Sequence, residues 1–309
     1  MKHVIILAAF ALAGIGALPQ TAPAQSTTFT KTVPVLFALH IEGSSPIQVF
    51  KVEGGEPVSS ALFAYPSPEL PQLPNKQHGP VQYRDLVFDY LPIPGTLLNT
   101  VIADAISAAS RPLSGSIVMM DGGSRELSRV HFSNARVRHV EFSEMDLTLN
   151  QSPMIRITLA VPGTSVSAGS NQPVPYGAAG KGAIKSAFRL LVQGLETASQ
   201  KAVRVEPQKF ISAVISPGVL GKFDYGNLVV VLPESDAAPF ALWHQAVLSQ
   251  PASQPEKPGE LQWLSPDRTK PLVSLQLQNL GVLSVIRIPN KPGYVAVEMY
   301  CEKVVPQVF

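Results

Sequence analysis

Apolar positions in this chain fall mostly in short, Val-rich, alternating runs, and one pair of runs sets the plan for the rest. Ser116 to Met120 is an apolar run, Asp121-Gly122-Gly123 supplies residues that tolerate positive φ, and Leu127, Val130 and Phe132 resume beyond them. From Leu113 to Asn134 the pattern therefore predicts strand, turn, strand. It returns 144 to 145 positions later, from Pro258 to Asn279. There Glu260 to Leu264 leads into Ser265-Pro266-Asp267, and Leu272, Leu275 and Leu277 take the places of Leu127, Val130 and Phe132. After Asn134 and Asn279 the apolar parity changes by the same route, through Val137 and Val140 in one copy and Val282 and Val285 in the other. A shared parity change predicts a shared β-bulge. Past Val285 the pattern stops matching, because Phe142 falls opposite Arg287 and the apolar residues move to Ile286 and Ile288.

Other landmarks repeat in the same order. An opening strand with Phe37, Leu39 and Ile41 on one face ends at Gly43, and its echo runs from Phe188 to Gly194. Val52-Glu53 is echoed by Val205-Glu206, and Tyr83 to Val87 by Tyr225 to Val229. Between these the first half carries about eleven extra residues, concentrated in the Pro-rich run from Tyr65 to Pro80, an expected exposed arm or long loop absent from the second half. Each half then has one helix. Thr96 precedes Leu97, Leu98, Val101, Ile102, Ala105 and Ile106 at helical spacing, and Asp236 precedes Phe240, Trp243 and Val247. Both helices are expected to lay their apolar stripe on the outside of a sheet. Each half closes with an alternating strand, Ile155 to Val161 and Val295 to Cys301, which makes Val161 and Cys301 equivalent. The organisation expected is a segment at 1–24, a first domain at 25–162, a Gly-, Ser- and Pro-rich flexible linker at 163–182 and a second domain at 183–309.

Composition narrows the class. At 309 residues with 45% hydrophobic and 15% charged positions the chain has enough material for two domains, while 29 prolines and 22 glycines argue against a helical protein. The fold class predicted is mainly β. A net charge of +2 without a basic run gives no nucleic-acid footprint, so no nucleic-acid partner is expected.

Residues 1–24 have the three parts of a secretory signal: Lys2 and His3, an apolar run from Val4 to Leu18, and Ala22-Pro23-Ala24 before Gln25. The 15-residue run is shorter than the ~20 residues that span a bilayer, so an exported, periplasmic or extracellular protein with no permanent membrane span is expected. Cys301 is the only cysteine and cannot pair within the chain, so stability must come from packing or assembly. Its alternation with Val297 and Met299 predicts a buried, inert thiol.

Candidate chemistry is sparse. The histidines are scattered, with His131 and His139 on polar strand faces, His244 beside Trp243 and His78 in the Pro-rich run, and no HExxH, CxxC or His-x-His spacing occurs. Asp121 before two glycines reads as a hairpin turn rather than a cation loop. Gly163-Thr-Ser and Gly180-Lys-Gly lack the P-loop spacing. Arg129, Arg136 and Arg138 read as a solvated face, because the second copy has Ser274, Gly281 and Leu283 there. No catalytic, cofactor-binding or metal-ligating residue is assigned and no cofactor is expected. A hydrolase would need a triad that this sequence does not supply.

Taken together, Phe37 with Gly43, Tyr83, the helix from Leu97 to Ile106, Gly115 to Val118, Phe132 to Asn134 and Ile155 to Leu159 resemble the tail tube family of contractile-tailed phages, a fold shared with the tubes of related injection systems. Tyr225, Trp243, Gly259, Leu277 to Asn279 and Glu298 repeat the resemblance in the second half. The first helix lacks the family's Trp, and Gly79-Pro80 stands where the family tends to have Pro-Gly. The resemblance implies two tandem tail-tube-like β-barrel or sandwich domains, each with one flanking helix, in a non-enzymatic structural protein whose partner is itself. Tubes of this family form rings of six single-domain chains, so two domains per chain imply a homotrimer forming a pseudo-hexameric ring, with stacking into a tube left open. The alternative is an exported monomeric β-rich module that binds peptide or glycan.

Overall fold

The computed structural model describes residues 35–64, 75–107, 111–176, 183–216, 219–249 and 256–308. The segment read as a secretory signal, the tip of the Pro-rich arm at 65–74 and the Gly180-Lys-Gly run lie outside them. The first half runs β1 (Leu36–Ile41), β2 (Ile47–Glu53), β3 (Pro57–Ala64), β4 (Asn75–Tyr83), β5 (Leu86–Tyr90), α1 (Leu97–Ser107), β6 (Leu113–Met120), β7 (Glu126–Phe142), β8 (Met145–Asp146), β9 (Ile155–Ala160) and β10 (Thr164–Ala168). The second runs β11 (Phe188–Val192), α2 (Glu196–Ser199), β12 (Arg204–Val205), β13 (Gln208–Ser216), β14 (Val219–Tyr225), β15 (Leu228–Pro233), α3 (Ala238–Ser249), β16 (Lys257–Leu264), β17 (Pro271–Arg287) and β18 (Tyr294–Val308). With 57% strand and 13% helix the chain is mainly β.

In the first half β1, β2, β5, β9, β7 and β6 pair in a ring and close a six-stranded barrel. Inward-facing Leu39, Phe88, Ile117, Val137, Val140 and Ile157 fill it, alternating with polar residues as the strand period requires. The second half repeats the order as β11, β16, β17, β18, β15 and β12. Among the described residues β11 and β12 do not pair, so this barrel stays open at the short β12. The registers agree pair by pair: Ile41 faces Gly115 as Val192 faces Gly259, and Tyr90 faces Ile155 as Leu232 faces Val295.

The bulge is shared. The pairing of β7 with β9 slips between Val137 and His139, and that of β17 with β18 slips between Val282 and Ser284, 145 positions on. Beyond the slip the register still holds, since Phe142 faces Ile155 and Arg287 faces Val295. The pattern mismatch at that point reflects different surroundings rather than a lost register. Positive φ in the two hairpin turns falls on Ser124 and Arg268 rather than on the glycines. The Asp121 Oδ1 accepts from the Gly123 and Arg125 N–H groups at 2.8 Å, the side-chain closure of a turn.

Three expectations need correction. The stretch read as a flexible linker contains β10, which pairs with β7 from Ser128 to Phe132. It occupies the place of the last turn-free stretch of β18, where Val304 faces Leu277 as Thr164 faces Phe132, so its Ser- and Gly-rich composition hid a strand. The second half does have an arm, the shorter hairpin β13–β14, and β3–β4 is its longer counterpart. Cys301 is half-buried rather than enclosed. Its thiol donates to the Gln278 and Lys303 carbonyls at 3.3 and 3.1 Å, and burial pushes its pKa up.

Candidate assembly interface

Residues 34–309 form one compact unit, because β13 leaves its own half and joins the first. Gln208, Lys209, Phe210 and Ile211 pair with Phe142, Glu141, Val140 and His139, extending the first half's sheet by the β13–β14 hairpin. Phe142 is thereby enclosed by rings from the second half. Its ring stands edge-on to Phe210 at 5.6 Å and to Trp263 at 5.4 Å, and Phe210 meets Tyr225 at 5.6 Å. Edge-to-face contacts of this kind add about 0.5–1.5 kcal/mol each beyond the area they bury.

A helix completes the junction. α1 turns Leu98, Asn99, Ile102, Ala105 and Ile106 inward, a face rotated from the expected stripe toward Asn99 and away from the 39% exposed Leu97, and it packs against β18 of the other half as well as its own sheet. Only a gap of about 10 Å³ remains between Asn99, Ile102, Phe142, Val273 and Pro306, less than a water needs to fit comfortably. The Tyr225 hydroxyl donates to the Ile106 carbonyl at 3.4 Å. The Thr96 hydroxyl, expected as a cap, meets the Tyr90 hydroxyl at 2.7 Å and donates to the Ile93 carbonyl. β12 adds a short pairing with β8, and Arg204 bridges Glu144 and Glu206, each at 3.2 Å. α3 instead buries Phe240 and Trp243 on its own half's β17, as its spacing predicts.

Several charged groups elsewhere are paired with each other. Asp89 is buried between Lys51 at 3.2 Å and Arg156 at 2.8 Å on the wall of a cleft of about 250 Å³ that Glu141 and Lys185 also line. The hydrogen bond from Asp89 raises the pKa of the already cationic Arg156, which stays charged. Arg129 forms a two-pronged pair with buried Glu126, holding that carboxyl below its usual range, and Arg138 binds Asp85 at 2.6 Å. His131 is exposed against Ser167, while His139 is half-buried with its Nε2 buried and unpartnered, and burial lowers its pKa. Among the described residues no three His, Cys, Asp or Glu side chains converge as a metal site, and no helix is long and apolar enough to cross a membrane.

No family model and no curated protein matches the chain. Solved structures give partial likenesses. The cap that terminates the anti-feeding prophage tube aligns at TM-score 0.36 and 16% identity over 48% of this chain and 96% of its own. The sheath–tube complex of an extracellular contractile injection system, PVC, aligns at 0.37 and 19% over 46% and 99%. The anti-feeding prophage baseplate aligns at 0.35 and 13% over 48% and 98%. Each alignment takes nearly a whole neighbour and about half of this chain.

The junction was not legible as a site beforehand. Its signal was present in Phe210 to Val214, a mostly apolar run, but nothing in such a run says which sheet it will join.

Proposed function

We propose that this protein is an exported structural component of the phage tail tube type, which self-assembles head to tail into rings of three chains with pseudo-sixfold symmetry. The observation that carries this reading is the junction itself. Two halves of one strand order meet through different surfaces, a hairpin and a strand end on one and a strand edge and a helix on the other. Such a contact is heterologous, and repeated between copies it either closes a ring or grows a filament. Duplication of one ancestral unit, with the two halves as tandem domains, accounts for the matched registers. The number three comes from the resemblance to tail tube proteins, whose rings hold six such units. Export comes from the three-part segment at 1–24.

Negative-stain electron microscopy of the chain from Gln25 onward tests the reading, with cell fractionation alongside. Rings of uniform diameter, and protein recovered outside the cytoplasm, are the expected results. A single small particle that binds immobilised peptide or glycan would replace this reading with that of a monomeric binding module.

A further inference from the structure

The junction inside the chain uses four surfaces, and each has a counterpart that is left uncovered. In the first half β7 carries β9 along one edge of its C-terminal part and β13 along the other. In the second half β17 carries β18 along one edge from Gly281 to Arg287, and among the described residues the other edge has no partner beyond Leu280. The hairpin shows the reverse. β13–β14 is docked, whereas β3–β4 stands as a two-stranded sheet of its own. The hairpins are equivalent at their bases, because Phe210 pairs with Tyr225 as Pro57 pairs with Tyr83, and the Lys209 carbonyl accepts from Gly226 as the Glu56 carbonyl accepts from Arg84.

The helix and the strand end behave likewise. Fully buried Leu98 and Phe240 align the two helices, which places Leu248 where Ile106 stands. Ile106 is 3% exposed, and Leu248 is 68% exposed. Pro306 on β18 is buried beside Ile102 and Asn99. Its counterpart on β10, Val166, is 73% exposed. Leu248 and Val166 are thus open where their counterparts inside the chain are covered, and an unpaired strand edge is a template for another strand.

We propose that a second copy of this chain covers them, repeating the internal junction: Glu56, Pro57 and Val58 of one copy pair with Ile286, Val285 and Ser284 of the next, and Val166 of the first copy packs on α3 of the next beside Leu248. Gly55 stays outside the pairing, buried with its N–H on the Arg84 carbonyl and its own carbonyl on the Thr164 hydroxyl. This deepens the self-assembly reading and rests on it. The register is the internal one carried over, since Gln208 to Ile211 face Phe142 to His139 in that order. One difference suits an untethered contact. Opposed Lys209 and Glu141 inside the chain become Glu56 and the 59% exposed Ile286, so an apolar side chain that is open in the single chain is covered at this pair. Pro57 replaces Phe210 and brings no N–H. The Glu56 carbonyl is taken by Arg84, so alternation leaves the Pro57 carbonyl facing the open edge as an acceptor. The missing N–H removes one of the two ladder hydrogen bonds at this pair, so the contact rests on the Pro57 carbonyl and on side-chain packing.

The two uncovered sets lie on different halves, so each copy offers one of each and the contact is head to tail. The test uses the full mature chain with Cys301→Ser as background. Chains carrying Val58→Cys and chains carrying Ser284→Cys are co-expressed and mildly oxidised. Directly opposed, non-hydrogen-bonded strand residues sit ~4.5 Å apart at Cα, within disulfide reach. A covalent dimer that forms in the mixture, and in neither variant alone, is the expected result. Leu248→Glu, on an exposed surface and so without effect on folding, is expected to raise at least tenfold the concentration at which the wild-type assembly dissociates. An assembly that persists without the cross-link and ignores Leu248→Glu overturns this docking while leaving self-assembly intact. A wild-type chain that is monomeric overturns both.

Discussion

Asn134 and Asn279, 145 positions apart, both lie in the left-handed region, at φ 53° and 57°. Each sits three residues before Val137 or Val282, where the pairing with β9 or β18 begins to slip. A side chain with a Cβ is strained there, Asn less than most, and glycine not at all. Asn134→Ala and Asn279→Ala should each lower unfolding free energy by about 1 kcal/mol, while the Gly variants stay within a few tenths. Chemical denaturation of the four variants checks the pair, and matched losses are expected at the two sites.

Phe142 and Arg287 occupy the same register position with opposite burial. Phe142 is 2% exposed beneath Phe210 and Trp263, whereas the Arg287 side chain is 82% exposed and reaches Glu234. Phe142→Ala should cost about 3–5 kcal/mol, as a large core truncation does. Arg287→Ala should change the unfolding free energy of the chain by no more than about 0.5 kcal/mol. Denaturant midpoints measured in one series decide it.

The contrast explains how far the sequence could be read. Strand order, the hairpin echo and the bulge were legible because they depend on local alternation, which Val137 and Val282 carry in the chain itself. The place where the halves join was not legible. Whether Phe142 is core or surface depends on a hairpin more than sixty residues away, and Gln208–Ser216, with apolar residues on both faces, names neither its buried face nor its neighbour. Thr164–Ala168 was lost for a different reason. Val166 is its only large apolar residue and is exposed, so the strand leaves no hydrophobic signature.

His139 lies between β9 and β13, where burial lowers its pKa, with Lys209, Arg156 and Arg138 acting in the same direction and Glu141 opposing them. The unfolded chain therefore takes up a proton more readily than the folded one. Its effect is absent above the ordinary histidine value near ~6.5, and stability is lost as pH falls from there through the folded-state value. His139→Gln should flatten the fall in stability between pH 7.5 and 5.5. Urea midpoints at the two pH values, for wild type and variant, measure it.

Cys301 faces Leu280 across the β17–β18 ladder, half-buried and with its thiol engaged by two carbonyls. Cys301→Val should alter stability by no more than about 1 kcal/mol. The raised thiol pKa keeps the reactive thiolate scarce, so a bulky maleimide should label the native protein far more slowly than the urea-unfolded chain.

Self-assembly through a repeated head-to-tail junction is the central claim, and native mass spectrometry of the mature chain at micromolar concentration tests it most directly. The account predicts a dominant species of three chains, or of whole multiples of three where rings stack. A stable single chain under the same conditions, with an intact β-rich spectrum, would contradict it.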